Sequence, residues 1–381
     1  MVMDFRGVIK VAPVQDDAAL QEFLRLPWSI YRNDPHWVPP ILSHQREFLD
    51  KERGPFFEFG EAQYFLAQVD GRPAGRISAH VNRLHDEYHG PDTGFFGFFE
   101  SIPDQEVASA LFEAAAAWLR ERGKTRLVGP LNFCIYDEMG LLVEGFDSMP
   151  ALFQTHNPPY YEALLTTWGL RKAFDWHAYK LTHFRKAALP EMERQLDNIL
   201  RGQNLVLRTL QPGELTRRAD EIYELFNEAW SRNWGHVPLT RRQFQDFLDQ
   251  IKILLRPQLV NLVLDHDRLV GFAISLLDIN PLIQKLNGRL SLWGKLRLLY
   301  QAKYGPIHKL RALVIGVSQP YQRRKLHNAM ILFKHMYLIR HHHCKEVDFS
   351  LIPENLRHWI KVLLAYGIQR YKVFRVFARE I

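Results

Sequence analysis

The chain has 381 residues, of which 47% are apolar and 24% charged, with a formal net charge of +7 and two cysteines, Cys134 and Cys344. That length holds two domains with separate cores, and the composition excludes a disordered, collagen-like or disulfide-stapled protein. Two cysteines without metal-type spacing fit a reducing compartment. The first residues lack the charged-then-apolar order of a secretion signal, and no run approaches the roughly 18 apolar residues of a spanning helix. The expectation is a cytoplasmic protein, at most peripheral on the inner membrane face.

In chain order, residues 64–78 read as a strand, a turn at Asp70 and Gly71, and a second strand. Residues 107–122 predict a helix with Leu111, Ala114, Ala115, Trp118 and Leu119 on one face, capped by Asp104 and stopped by Gly123. An apolar strand follows near 176–181. A linker is expected at 186–204, where Pro190 opens a short amphipathic helix, and it divides an N-terminal domain (1–185) from a C-terminal domain (205–381). The second half then repeats the plan of the first. It has a strand at 205–210, helices at 219–232 and 241–254, and a hairpin at 261–275 in which Gly271 answers Gly75. Asn157 to Gly169 and Asn355 to Gly367 have the same spacing, and each leads through a helix to an apolar strand, the second near 373–378. The repeated order predicts a tandem α/β architecture with mixed sheets.

Charge is local. From 281 to 311 there are seven Lys or Arg residues and no Asp or Glu, so the rest of the chain is formally neutral. This basic insertion interleaves Leu282, Ile283, Leu286, Leu290, Leu292, Trp293, Leu296, Leu298, Leu299 and Tyr300 with cations. It suits a helix at an anionic membrane surface or a lid over an acyl chain, or a plain amphipathic helix on the core. Nucleic acid is not expected, because the cations sit among aliphatic residues.

The densest chemistry is at 314–327, Val-Ile-Gly-Val-Ser-Gln-Pro-Tyr-Gln-Arg-Arg-Lys-Leu-His. It reads as a strand, a Pro-containing turn, a cationic loop and the start of a helix reaching Arg340. Free N–H groups at a helix start, with Arg323, Arg324 and Lys325 beside them, form an anion site; the plain alternative is a solvated turn. This segment resembles the pyrophosphate-binding segment of the GCN5-related N-acetyltransferase (GNAT) superfamily. The resemblance implies that Gln322, Arg323, Arg324, Lys325, Leu326, His327 and Asn328 hold the phosphate end of acetyl-CoA, a longer acyl-CoA or an acyl carrier protein. It implies that main-chain amides near Val317 face the thioester carbonyl, and that Asn355 touches the pantetheine arm. The strand at 312–317 is expected to splay from that at 346–351 to admit the arm. Two departures stand out. Lys325 and His327 replace the loop glycines, and Leu363 replaces the tyrosine that protonates the leaving thiolate, with Tyr366 nearby as a substitute.

The first half lacks such a loop. It carries Gly129-Pro-Leu-Asn-Phe-Cys-Ile-Tyr-Asp-Glu138 and His156-Asn-Pro-Pro-Tyr-Tyr161. Asn132, Asn157, Tyr160 and Tyr161 are candidates for a substrate-facing wall, and Asp137, Glu138 or His156 for the base that deprotonates an amine. Each has a structural alternative: Asp137 and Glu138 as a helix-start pair, His156 and Asn157 as turn and cap, the tyrosines as core. His341, His342 and His343 end a helix, whose negative pole suits imidazole cations; no metal is expected. The motifs Trp37-Val-Pro-Pro40, Gly129-Pro-Leu-Asn-Phe133, Gly140-Leu-Leu-Val-Glu-Gly-Phe-Asp147 and Leu286-Asn-Gly-Arg289 resemble a two-domain bacterial group similar to bacterial ceramide synthases. That likeness implies an N-acyltransferase acting on a small-molecule or lipid primary amine, with the site between the halves. A GNAT-fold binding protein with a decayed donor site is the alternative.

Overall fold

In the computed structural model, residues 7–341 and 344–381 are described. His342 and His343 lie outside them, while His341 packs on Tyr337 with ring centroids 4.9 Å apart. The chain forms two compact units that are interleaved in sequence. The first comprises the described part of Met1–Trp176, with Asn280–Leu290 and Lys372–Ile381; the second comprises His177–Ile279 and Ser291–Tyr371. The stretches 280–290 and 372–381, which a cut at 186–204 gives to the C-terminal half, are counted in the first unit.

The first unit is built on β1 (Ile9–Pro13), β2 (Gly60–Val69), β3 (Arg72–Asn82), β4 (Thr93–Ser101) and β5 (Arg126–Gly129), with β6 (Leu141–Glu144). The first four pair antiparallel in sequence order, and β5 joins β4 in parallel. The strand β7 (Arg171–Leu181) starts in this unit. Asp70 and Gly71 both take positive φ (49° and 75°), the mirror turn whose twist matches a two-residue hairpin. The helix Gln105–Arg120 lies on this sheet. Asp104 caps it by accepting from Glu106 N at 2.8 Å and Val107 N at 3.1 Å. Its buried stripe is Val107, Ala108, Leu111, Phe112, Ala115, Ala116 and Leu119, each large side chain stabilising by about 1.5–3 kcal/mol. The close approach requires Gly75, where a Cβ would sit 2.7 Å from Leu111 Cδ1. The helix Asn280–Leu286 is held here by polar side chains. Asn280 Nδ2 donates to Pro150 O at 2.8 Å, Gln284 Nε2 to Trp37 O at 2.9 Å, and Trp28 Nε1 to Asn287 Oδ1 at 2.7 Å.

The second unit has β8 (Leu205–Thr209), β9 (Val260–Asp265), β10 (Arg268–Leu277), β11 (Lys309–Val317) and β12 (Glu346–Pro353). The first four are antiparallel neighbours and β12 pairs with β11 in parallel. The final strand β13 (Gln369–Glu380) begins in this unit, and its later residues pair with β5 and β6 of the first. Each unit therefore has the expected strand–hairpin–strand–helix–strand order. The helix Leu326–His341 covers the second sheet, with Leu326 and Met330 packed on Val263, Val270 and Val317, and the helix Leu189–Leu200 packs against it through Leu196. The basic insertion is not one element: it divides into Asn280–Leu286, a second helix Leu292–Tyr304, and the first residues of β11. Among the described residues no helix is long and apolar enough to cross a membrane.

Candidate active site: one open strand split and one filled

In the second unit the parallel ladder between β11 and β12 covers only Lys309↔Glu346 to Ala312↔Phe349, yet the strands run on to Val317 and Pro353. They part beyond Ala312, as the sequence led one to expect. On the other edge of β11, Val314 pairs with Ile274 but Ala312 with Ser275, so Leu313 is an extra residue. A bulge re-aims the main chain, and this one sits where the neighbouring strand departs. Nothing in the residue type of Leu313 marks it; the signal is a mismatch of register between two strands.

Past β11 the chain makes a short 3-10 helix, Gln319–Arg324, and Lys325 takes φ +59° before the helix Leu326–His341. Glu228 fixes the turn, its Oε1 accepting from Ser318 Oγ at 3.0 Å and Gln319 N at 2.7 Å. Lys325 thus adopts the left-handed conformation that a glycine takes without strain. Gln322, Arg323, Arg324 and Lys325 are exposed, Leu326 is buried, and His327 and Asn328 are half-buried. The Arg324 guanidinium lies 4.5 Å from the Tyr321 ring centroid. His327 packs on Trp359 at 5.5 Å, and burial pushes its imidazole down to about 4. It is neutral at pH 7, so the positive charge of this loop comes from the two arginines and the lysine. Leu326 contributes its side chain to the core, not to a ligand, and Gln322 Nε2 donates to Val317 O at 3.4 Å. Asn355 is exposed between β12 and the helix Arg357–Ala365. Leu363 is fully buried, so no proton donor stands at that position. Tyr366 caps the same helix, and burial raises its phenol.

A buried polar group missed by sequence reasoning lies at the mouth of the split. Arg311 faces Asp348 at 4.0 Å and donates to Ser350 O at 3.3 Å. Ser350 Oγ donates to Asp348, and Tyr371 OH donates to its Oδ2 at 2.7 Å. Burial raises the Asp348 carboxyl, against the pull of Arg311. Three strands bring these residues together, which no local spacing announces.

The first unit repeats the geometry and fills it. The β4–β5 ladder stops at Phe95↔Val128, and a register shift against β3 falls between Gly97 and Glu100, where Phe98 has φ +48°. Here the chain after β5 enters the split. Leu131 N donates to Phe96 O at 2.8 Å, and Phe98 N donates to Asn132 Oδ1 at 2.8 Å. Gly97 is required, because a Cβ there would lie 2.0 Å from Leu131 O. Asn132 therefore serves the bulge amide of its own sheet, and its Nδ2 reaches Glu138 Oε2 at 3.2 Å.

The other first-half candidates divide by what they touch. Asp137 accepts from Cys134 N at 3.2 Å and Cys134 Sγ at 2.9 Å. Burial pushes its carboxyl up to about 7, Glu138 adding to the rise and the Cys134 bonds opposing it. Glu138 is exposed. His156 Nε2 meets Asp34 Oδ2 at 2.7 Å; burial lowers the imidazole, while Asp34 pulls the other way. Asn157 holds Leu142 through both main-chain groups, at 2.7 and 3.1 Å. Tyr161 donates to Glu100 Oε2 at 2.7 Å and accepts from Ser101 N at 2.9 Å, and Tyr160 donates to Ser101 O at 2.7 Å. Asn157 is thus tied to β6, and Tyr160 and Tyr161 into the scaffold around the buried Arg76–Glu100 pair.

No family model matches the chain. Among curated proteins it is 29% identical over 383 residues to Protein YghO of Escherichia coli, covering 100% of this chain and 97% of that one. It is 30% identical over 380 residues to the bacterial ceramide synthase of Caulobacter vibrioides, covering 98% of each. Among solved structures, a tandem GNAT protein from the clavulanic acid biosynthesis pathway aligns with a TM-score of 0.57 at 14% identity, over 98% of both chains. That likeness shows the fold, a tandem pair of GNAT-like domains. With the full-length relationship to the Caulobacter protein, it follows that the chain belongs to the two-domain GNAT acyltransferase group that contains bacterial ceramide synthase.

Proposed function

We propose that the protein transfers an acyl group from a thioester, acyl-CoA or acyl carrier protein, to a primary amine, and that the amine is a lipid amine met at the inner membrane face. The observation that carries this reading is the parting of β11 and β12 beside the Leu313 bulge, with exposed Arg323, Arg324 and Lys325 at its end. The pantetheine arm would lie in the split with its phosphate against the cations, and the re-aimed main chain at Leu313 would face the thioester carbonyl. The amine nitrogen attacks that carbonyl, a C–N bond forms and the C–S bond breaks. The ammonium proton passes to a base, and the thiolate takes up a proton. Asp137, Glu138 and His156 remain the candidates for the base.

The test is calorimetry with acetyl-, palmitoyl- and free coenzyme A and with acyl carrier protein, followed by transfer to a long-chain amine. Saturable binding of an acylated donor and a new amide product are expected. Binding without product would leave a donor-binding protein without turnover, as the buried Leu363 at the usual proton-donor position allows. No binding of any donor would sink the transferase reading and favour a second one, a non-catalytic binding protein whose donor site has decayed.

A further inference from the structure

The helix Leu292–Tyr304 is turned the wrong way for an ordinary amphipathic helix. It packs inward through small residues, Gly294 and Ala302, and leaves Leu292 (71% exposed), Trp293 (80%), Leu296, Tyr300 and Tyr304 in solvent. At about 100° per residue these five fall within an arc of about 120°. Scattered exposed apolar residues are ordinary, but a contiguous stripe marks an interaction surface. The helix is nonetheless anchored. Ser291 Oγ caps its start, accepting from Gly294 N at 3.1 Å. Arg256 clamps its end, donating to Ala302 O at 2.6 Å, Gln301 O at 2.9 Å and Gly305 O at 2.7 Å.

Charge identifies the occupant. Lys295, Arg297 and Lys303 are exposed on the same helix, and residues 281–311 contain no Asp or Glu. A Leu/Trp/Tyr face on a helix whose only charged residues are cations matches the headgroup boundary of an anionic bilayer, where aromatic rings sit at the interface and lysine and arginine meet lipid phosphates. We propose that this helix docks the protein on an anionic membrane, its stripe lying at the acyl boundary. Such docking deepens the lipid-amine reading above. It is read out without turnover, so a failure of acyl transfer leaves it standing.

The full chain is floated with phosphatidylglycerol-containing or pure phosphatidylcholine vesicles. It is expected to float with the anionic vesicles, progressively less as salt is raised. The variants Leu292→Ser/Trp293→Ser/Tyr300→Ser and Lys295→Glu/Arg297→Glu/Lys303→Glu should each partition about a hundredfold more weakly, with unchanged thermal melting and donor binding. No flotation of the unaltered chain, equal flotation on both vesicle types, or flotation unchanged in either variant would overturn the proposal. A dimer that the apolar variant converts to monomer, without vesicle binding, would assign the face to a second copy and would also overturn it.

Discussion

The two units repeat one device and use it in opposite ways. In each, a strand carries a register irregularity at the point where its parallel neighbour leaves: Phe98 on β4 and Leu313 on β11. In the first unit the departing chain folds back into the gap, and the Phe98 amide donates to the Asn132 side-chain oxygen. In the second unit β12 continues as a strand to Pro353, and β11 leads into the exposed cations Arg323, Arg324 and Lys325. A buried main-chain donor must find an acceptor. The first unit meets this need within its own sequence at Phe98; in the proposed reaction the second would turn its bulge toward a ligand's carbonyl. If only the second unit takes the donor, calorimetry should report one donor per chain.

The sharpest way to break this comparison is to remove the re-aimed amide. Leu313→Pro deletes the N–H at the bulge, and kcat is expected to fall by about 10²–10³, the usual loss for one oxyanion donor. Donor affinity should change little. Leu313→Ala keeps the amide and serves as the control, and thermal melting checks that both variants fold. If the proline variant turns over at the rate of the alanine variant, the carbonyl is held elsewhere and the parallel between Phe98 and Leu313 has no catalytic meaning.

A smaller effect is expected at the other end of the split. Arg323→Glu together with Lys325→Glu should weaken donor binding by about tenfold or more, because charge-assisted contacts to phosphate are replaced by repulsion. The loss should shrink at high salt. Wild-type affinity in this variant, measured by calorimetry, would remove the loop from the donor site. His327→Ala is a useful companion: its imidazole is neutral at pH 7, so it should alter packing on Trp359 more than phosphate affinity.

Much of this arrangement can be read from the chain, and the rest fails for definable reasons. The hairpin at Asp70 and Gly71, the Asp104 cap and the strand before and helix after the cationic loop are local, set by residues within a few positions of one another. The repeat of the whole plan is visible for the same reason. What escapes is non-local. A bulge is a mismatch between two strands, and Leu313 looks like any strand residue. Asn132 reads as a polar residue beside a proline turn, hence as a substrate contact, because its partner Phe98 lies on another strand. Arg311, Asp348, Ser350 and Tyr371 meet only when the sheet forms. The 281–311 segment reads as one insertion by composition, yet Asn280 and Gln284 bond to Pro150 and Trp37, far away in sequence.

Asp137 tests whether the filled unit keeps a chemical task. Its carboxyl is raised from the ordinary 3.8 to about 7, so between those values the folded chain holds a proton that the unfolded chain has lost. Stability from this group is therefore lost as pH climbs from about 4 to about 7, and is not regained above. Asp137→Asn should flatten that decline in thermal melts. If Asp137 is the base, the same change should also abolish a rising limb of kcat near pH 7. A flattened melt with an unaltered rate profile would leave Asp137 a purely structural partner of Cys134.

The smallest expected effect bears most directly on the filled split. Asn132→Ala leaves the Phe98 amide without its acceptor, at a cost of about 1–3 kcal/mol in stability, while Asn132→Asp retains an oxygen at the same place and should lose less. Donor affinity should be unchanged in both if the second unit takes the donor. Denaturant melts and calorimetry read the two quantities separately. A destabilised variant with unchanged binding is what self-filling requires: the asparagine acts as an internal ligand, and its removal costs fold rather than function. If Asn132→Ala instead gains a second equivalent of bound donor, the first unit's split is only blocked, not lost. A variant with both wild-type stability and wild-type binding would mean that the loop after β5 is held by Leu131 and its packing alone, and Asn132 would have to be returned to the list of residues that face a substrate.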